Sequence, residues 1–335
     1  MTIPSVDVLR GDIVESRHRV SAAVTNPDGA LVARAGDPDL VTFWRSAAKF
    51  FQAVPLLTDG AAAEFAITDE ELGLACASHN GEPRHVRIAS GLLEKIGCGP
   101  DDLACGPHAS LAERVAKEMA ERGERPTRLH NNCSGKHAGM LAQARFRGWP
   151  TAGYQEAGHP VQVRCLEEVA RWTGAPARSI GIGVDGCGVT CFALPLRAMA
   201  LAYARLGARR LGGAGDEGRA AAAERLIRAV TADPFLIAGR SRLCSELLEA
   251  GGGRVVAKVG AEGVYCATLP EPGLGVALKV EDGDFRSSAP ALLAVLDQLA
   301  PGVASVAEEW RRPAILNTRG SVVGRLEARV PLLRA

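Results

Sequence analysis

Strand-forming stretches lie at both ends of this 335-residue chain, and helical ones fill the middle. At the start, Ser16 to Thr25 and Ala30 to Ala35 carry β-branched residues and are joined by Asn26-Pro27-Asp28-Gly29, a hairpin signal. Near the end, Gly251-Gly252-Gly253 gives way to three short strand-like runs, Arg254 to Val259, Gly263 to Leu269 and Leu274 to Val280, which read as a meander. A helix at about 289–299 precedes a last strand, Ser321 to Val330. One antiparallel sheet built from about 1–40 and 254–335, covered by a mostly helical region of about 41–250, accommodates both ends. The expected fold class is α/β, of the α+β type, in a single domain over 1–335.

Within the middle, Phe43 to Gln52 predicts the first turns of a helix that ends between Pro55 and Gly60. Thr68-x-x-Glu71 is a capping box opening a short helix. Further helices are expected at Pro83 to Ile96, Ser110 to Arg122, from the 129–137 loop to Gly148, and from His159-Pro160 to Trp172. Ser179 to Val184 and Val189 to Leu194 read as buried extended pieces around the turn Asp185-Gly186-Cys187-Gly188. Helices at about 196–206, 217–231 and 241–250 follow.

Lys and Arg total 39 against 38 for Asp and Glu, and no basic block occurs, which argues against a nucleic-acid or anionic-membrane partner. Met1 to Asp7 has no basic stretch followed by an apolar one, so no signal peptide is expected. The most apolar region, Val189 to Leu206, is broken by Pro195, Arg197 and Arg205 and is too polar to span a bilayer. Nine cysteines, an odd number, fit free thiols in a reducing cytoplasm, with some holding metal.

Three short motifs carry chemistry. In a helix, Ser46 and Lys49 are i and i+3 and share a face. A lysine desolvated by neighbours such as Phe50 and Phe51 can take the proton of a serine hydroxyl and make it a nucleophile. Alone, the pattern also describes a surface serine and a snorkelling lysine. Ser78-His79-Asn80 offers a hydroxyl and an amide at a turn. Lys258-Val259-Gly260 ends a strand in which Val256, Lys258 and Gly260 share a face, the glycine leaving room for a substrate at the strand edge. The order S-x-x-K, S-x-N, K-x-G is that of serine β-lactamases and penicillin-binding proteins. Val259 departs from the usual Thr or Ser, the first two motifs are close together, and a penicillin-recognising protein needs export.

Cys133, Lys136 and His137 project together at a helix start, and Cys187 sits in a second glycine-containing turn. Thiolate and nitrogen donors suit zinc, and on chemistry alone His137 is preferred to Lys136, because lysine must lose a proton to coordinate. Two buried reduced cysteines are the alternative.

The runs Trp44-Arg45-Ser46-Ala47-Ala48-Lys49, Ser78-His79-Asn80-Gly81-Glu82, Asn132 to Leu141 and Val184-Asp185-Gly186-Cys187-Gly188 resemble the rhizobial-type L-asparaginases, a class similar in fold to serine β-lactamases and glutaminases. The resemblance spans about 10–330. It implies a single catalytic domain with two Ser–Lys tandems, Ser46 with Lys49 and Ser78 with Lys258, the first serine being the nucleophile. It also implies one zinc ion on Cys133, Lys136 and Cys187, which binds or orients substrate, and here it replaces His137 by Lys136 as ligand. Asp185, His137 and Cys244 are expected around that site, with Asn80 at the substrate. Arg45 is a candidate partner for a substrate α-carboxylate and Asp185 for its ammonium. Thr190 stands where the resemblance leads one to expect Pro. The implied reaction is hydrolysis of L-asparagine by a cytoplasmic homodimer. Glutaminase action by the same machinery, and an amino-acid-binding zinc protein without turnover, are the alternatives.

Overall fold

A computed structural model of the chain describes residues 3–211, 213 and 215–335. Twelve strands occur among the described residues: β1 Ser5–Arg10, β2 Ile13–Thr25, β3 Leu31–Ala35, β4 Val41–Phe43, β5 Gly181–Val184, β6 Thr190–Pro195, β7 Val256–Val259, β8 Val264–Leu269, β9 Leu274–Val280, β10 Ala314–Leu316, β11 Val322–Arg329 and β12 Leu333–Arg334. The chain divides into two compact units. One comprises 1–47, 194–210 and 246–335; the other comprises 48–193 and 211–245.

The first unit holds the sheet expected from the two chain ends. Its order is β10-β11-β1-β2-β9-β8-β7, with β3 pairing both β2 and β12. The Asn26–Gly29 turn joins β2 to β3 as expected, with Ala22 opposite Ala35, and the Asn26 side-chain oxygen accepts from the amides of Asp28 and Ala30. β2 also brings the ends together, because Val20 to Thr25 pair with β9 while β1 pairs with β11. β8 is buried along its whole length, so both of its faces are covered. The Leu196–Ala208 helix packs on β2, β8 and β9, and the Ser288–Leu299 helix packs on β1, β8, β9 and β11. The first approach is close: a Cβ on Gly275 would lie 2.0 Å from the Ala200 carbonyl oxygen.

The second unit is built of helices around Lys49–Thr58 and Ser134–Arg147. The latter is buried without a break from Ser134 to Ala144. Gly135 lets it reach the Asp69–Ala75 helix, since a Cβ there would meet the Leu74 carbonyl oxygen at 2.4 Å. Thr68 and Glu71 form the expected capping box. β5 and β6 pair antiparallel around the Asp185–Gly188 turn. The expectation that Ser179 to Val184 is buried is corrected: Ile182 is 45% and Val184 80% exposed. These two residues are two apart and share a face, so an uncovered face exposes both. No helix among the described residues is long and apolar enough to cross a membrane.

Candidate active site

The Ser78–Glu82 turn leaves the capped Asp69–Ala75 helix and runs extended in the second unit. Ser78 N donates to Ile237 O at 2.9 Å, Asn80 N to Ala238 O at 2.8 Å and His79 N to Asn132 O at 3.2 Å. Two buried imidazoles brace it from behind. His79 accepts from Gly81 N through Nδ1 (3.0 Å), lies 3.0 Å from Ser134 Oγ through Nε2, and stacks on His85, which stacks in turn on Phe235. Burial pushes both histidines below their ordinary value of 6.5, His85 to about 4.

Lys49 opens its helix with its side chain fully buried. Its amine donates to the carbonyl oxygen of Ala77, to Ser78 Oγ at 3.1 Å and to Asn132 O at 3.5 Å. The second unit therefore joins Lys49 to Ser78. Ser46, half-buried, lies in a single 3₁₀ turn, Arg45–Ala48, that runs into the Lys49 helix, so the α-helix begins six residues after the Phe43 start that the sequence predicts. Arg45, which opens that turn, has φ 53°, a left-handed conformation that costs a non-glycine residue about 1–3 kcal/mol and recurs at functional turns. Anchors within the first unit hold this turn: Trp44 Nε1 lies 3.3 Å from Cys266 Sγ, and Tyr203 donates to Ala47 O at 2.7 Å. Lys258, on β7, is fully buried and donates to Val259 O at 3.0 Å. Gly260 has a different use from the one expected. A Cβ there would lie 3.0 Å from Trp44 O and 2.9 Å from Val264 Cβ, so its missing side chain admits the backbone at Trp44. Ser46 and Lys258 belong to the first unit, Lys49 and Ser78 to the second.

Cys133, Lys136 and Cys187 come together in the second unit. Lys136 donates to Cys187 Sγ at 3.1 Å, and both thiols are reduced. Cys133 keeps its proton, held up to about 12 by its hydrogen bond to Cys187 and by burial. That hydrogen bond lowers Cys187 to about 4 against the opposing effect of burial, with the Lys136 charge assisting. Burial disfavours the Lys136 ammonium, but the two sulfurs and Asp185 raise its pKa. The half-buried Asp185 heads the turn, its carboxylate accepting from Gly186 N at 2.8 Å. His137 is fully buried. Tyr154 accepts from Ala104 N, and its hydroxyl lies 2.6 Å from His137 Nδ1, while His137 Nε2 has no hydrogen-bond partner. Burial and then the Lys136 charge bring this imidazole down to about 3.

Among the described residues no group of three or more His, Cys, Asp or Glu is placed to hold a metal. Two thiols and an amine are nevertheless a donor set that fits zinc with one open position. His137, with Nδ1 engaged by Tyr154, lies close enough to this donor set to feel the charges of Lys136 and Cys133. Cys244 is buried at the start of the Leu243–Gly251 helix.

A sequence model described as L-asparaginase II matches residues 6–328. The chain belongs to the L-asparaginase II family. Solved structures similar to this family member include Mglu in its native form in the presence of 4.3 M NaCl, at 19% identity and a TM-score of 0.38, covering 84% of this chain and 60% of that one. Mglu in its tris and glutamate form matches at 16% identity and a TM-score of 0.38, covering 92% and 65%. The chain thus spans about 60% of the length of the first. No curated protein matches it by sequence.

In this L-asparaginase II family chain, sequence reasoning missed several residues beside the expected ones. Tyr154 engages His137 Nδ1, and Cys105 is near enough to Cys133 and Cys187 that, after burial, these sulfurs help to raise its pKa to about 12. Glu82, 3% exposed, accepts from Asn80 Nδ2 and Arg240 N, and Arg242 donates to Asn80 Oδ1 at 2.7 Å. Glu82 lies within the quoted Ser78–Glu82 run, and that membership is its one sequence signal. Nothing in the spacing marks the others.

Proposed function

We propose that the protein hydrolyses the side-chain amide of L-asparagine, giving L-aspartate and ammonia. Family membership supports the amidohydrolase class. The observation that carries the mechanism is the fully buried Lys49 amine at 3.1 Å from Ser78 Oγ. Ser46 Oγ attacks the amide carbon while its proton passes to Lys49. The carbon–nitrogen bond then breaks, the departing ammonia receiving a proton relayed through Ser78 and Lys258. Water attacks the resulting β-aspartyl ester, releasing aspartate and returning the proton to Ser46. Cys133, Lys136 and Cys187 would hold a zinc ion, which when bound supplies positive charge for binding and orienting the substrate. Around it, Asp185 offers a carboxylate for the substrate ammonium, with His137 alongside. A cytoplasmic homodimer is the setting that accompanies this proposal.

Ammonia release from asparagine and from glutamine tests the proposal, with and without a chelator. Ser46→Ala is expected to lower kcat by about 10³-fold or more, as loss of a nucleophile does. Undiminished release by that variant would remove Ser46 as nucleophile, and glutamine preferred over asparagine would reassign the substrate.

A further inference from the structure

Beside Asn80, the second unit encloses a cavity of about 510 Å³ lined in part by Asn80, Glu82, Leu111, Glu113, Arg240 and Arg242. That volume lies within the range of small-molecule sites. Its wall is a loop clamped onto the Ser78–Glu82 turn. Gly239 at φ 109° passes so close that a Cβ would fall 2.6 Å from both Asn80 Nδ2 and Glu82 Oε1. Asn80 Nδ2 donates to Arg240 O at 3.0 Å, and Arg240 N donates to Glu82 Oε1 at 3.0 Å. The clamp fixes the direction of Arg242, whose guanidinium donates to Asn80 Oδ1 at 2.7 Å.

The arginines of this wall differ in their partners. Arg240 pairs with Glu82 at 3.5 Å, and Arg114 pairs with Glu118. Arg242, half-buried, bonds a neutral amide, and among the described residues no carboxylate forms an ion pair with it. A guanidinium donates five N–H groups in a fork suited to a carboxylate, and one hydrogen bond to Asn80 leaves most of them for a ligand. Glu82 and Glu113 on the same lining would repel a multiply charged anion and favour a ligand that also carries a positive group.

We infer that Arg242, oriented by Asn80, is the residue that binds the α-carboxylate of an amino-acid substrate. The inference rests on the amidohydrolase reading above for the identity of that substrate, and it moves the carboxylate partner from Arg45 to Arg242. Asn80 thereby becomes a positioning residue that acts through Arg242.

The test compares wild type with Arg242→Ala, Arg242→Gln and Arg242→Lys on asparagine and on 3-aminopropanamide, the same amide without the α-carboxylate. Arg242→Gln keeps a donor for Asn80 Oδ1 while removing the charge. Loss of the charged hydrogen bonds is expected to raise KM for asparagine about 10- to 100-fold in the Ala and Gln variants with kcat within a few-fold, and Lys restores part of it. Turnover of 3-aminopropanamide stays the same in all four proteins. Equal losses on both amides, or no loss on asparagine, would overturn the assignment. Calorimetry with L-aspartate and β-alanine separates this outcome from failure of the hydrolase proposal. If wild type releases no ammonia but binds L-aspartate more tightly than β-alanine, and Arg242→Gln abolishes the difference, Arg242 stands while the reaction falls. A wild type that does not discriminate the two ligands overturns the Arg242 assignment.

Discussion

His79 and His85 hold the Ser78–Glu82 turn in place, and both do so as neutral rings. Burial lowers the folded pKa of each, whereas the unfolded chain takes up protons near 6.5. Above pH 6.5 neither state is protonated there and the full stability is present. As the pH falls below 6.5 the unfolded chain gains the protons first, so stability declines. For His85, lowered to about 4, the loss amounts to about 3 kcal/mol by pH 4. The carboxylates Asp59 and Asp69, which burial would raise but neighbouring arginines bring below 3.8, lose their contribution only below that value. Thermal unfolding followed from pH 7.5 to 4.5 is therefore expected to show a falling Tm before those carboxylates titrate. His85→Asn, whose side-chain oxygen can replace Nδ1 as the acceptor for Glu82 N, should start lower and fall less steeply. An equal slope in both proteins would show that His85 is not responsible. At this scale the sequence pointed to residues that lie close together in short motifs, such as Cys133 with Lys136. It could not point to Arg242, because its partner Asn80 lies 162 positions away and only the folded loop joins them.

Elements were legible where a local interaction dictates them. The Asn26–Gly29 hairpin and the Thr68–Glu71 capping box are closed by hydrogen bonds within five residues, and both occur where the sequence puts them. β1 has no such local signal, because Ser5–Arg10 alternates polar and apolar residues too briefly to stand out, and its place depends on pairing with β11 more than 300 residues later. The apolar residues of β5 suggest burial but do not tell whether a layer covers them, and Ile182 and Val184 are exposed. Helix-on-sheet packing was also silent in the sequence, since it depends on Gly275 opposite Ala200 and Ala204. Gly275→Ala would set a methyl 2.0 Å from the Ala200 carbonyl oxygen and 2.2 Å from the Ala204 nitrogen. Both obstacles are backbone, so the Leu196–Ala208 helix must move away from β9. We expect a loss of about 3 kcal/mol, the upper part of the usual cost of overpacking. Urea denaturation would measure it, and a midpoint unchanged from wild type would show that the helix yields without penalty.

Across the whole molecule, each compact unit is assembled from separate stretches of chain, and the backbone passes from one to the other after residues 47, 193, 210 and 245. Sequence distance and spatial grouping therefore disagree. The two end regions announced a common sheet through their strand patterns, whereas the assignment of 194–210 to the sheet unit had no counterpart in composition. The same interleaving governs folding. β9 needs β2 along its edge and β11 needs β1, yet those partners are made about 250 residues earlier or more. Such distant pairings close only when long loops have been paid for in entropy, and they predict slow folding through species with unpaired edges. Removing residues 1–35 would take away β1, β2 and β3 together, leaving the hydrogen-bonding edges of β9 and β11 open. The truncated chain is expected to lack a cooperative thermal transition and to elute from size-exclusion chromatography as aggregate. A monomeric truncated chain with a sharp transition would mean that β7 to β12 hold together without the N-terminal strands. The pairing of β2 with β9 would then be a consequence of the fold and not its organising contact.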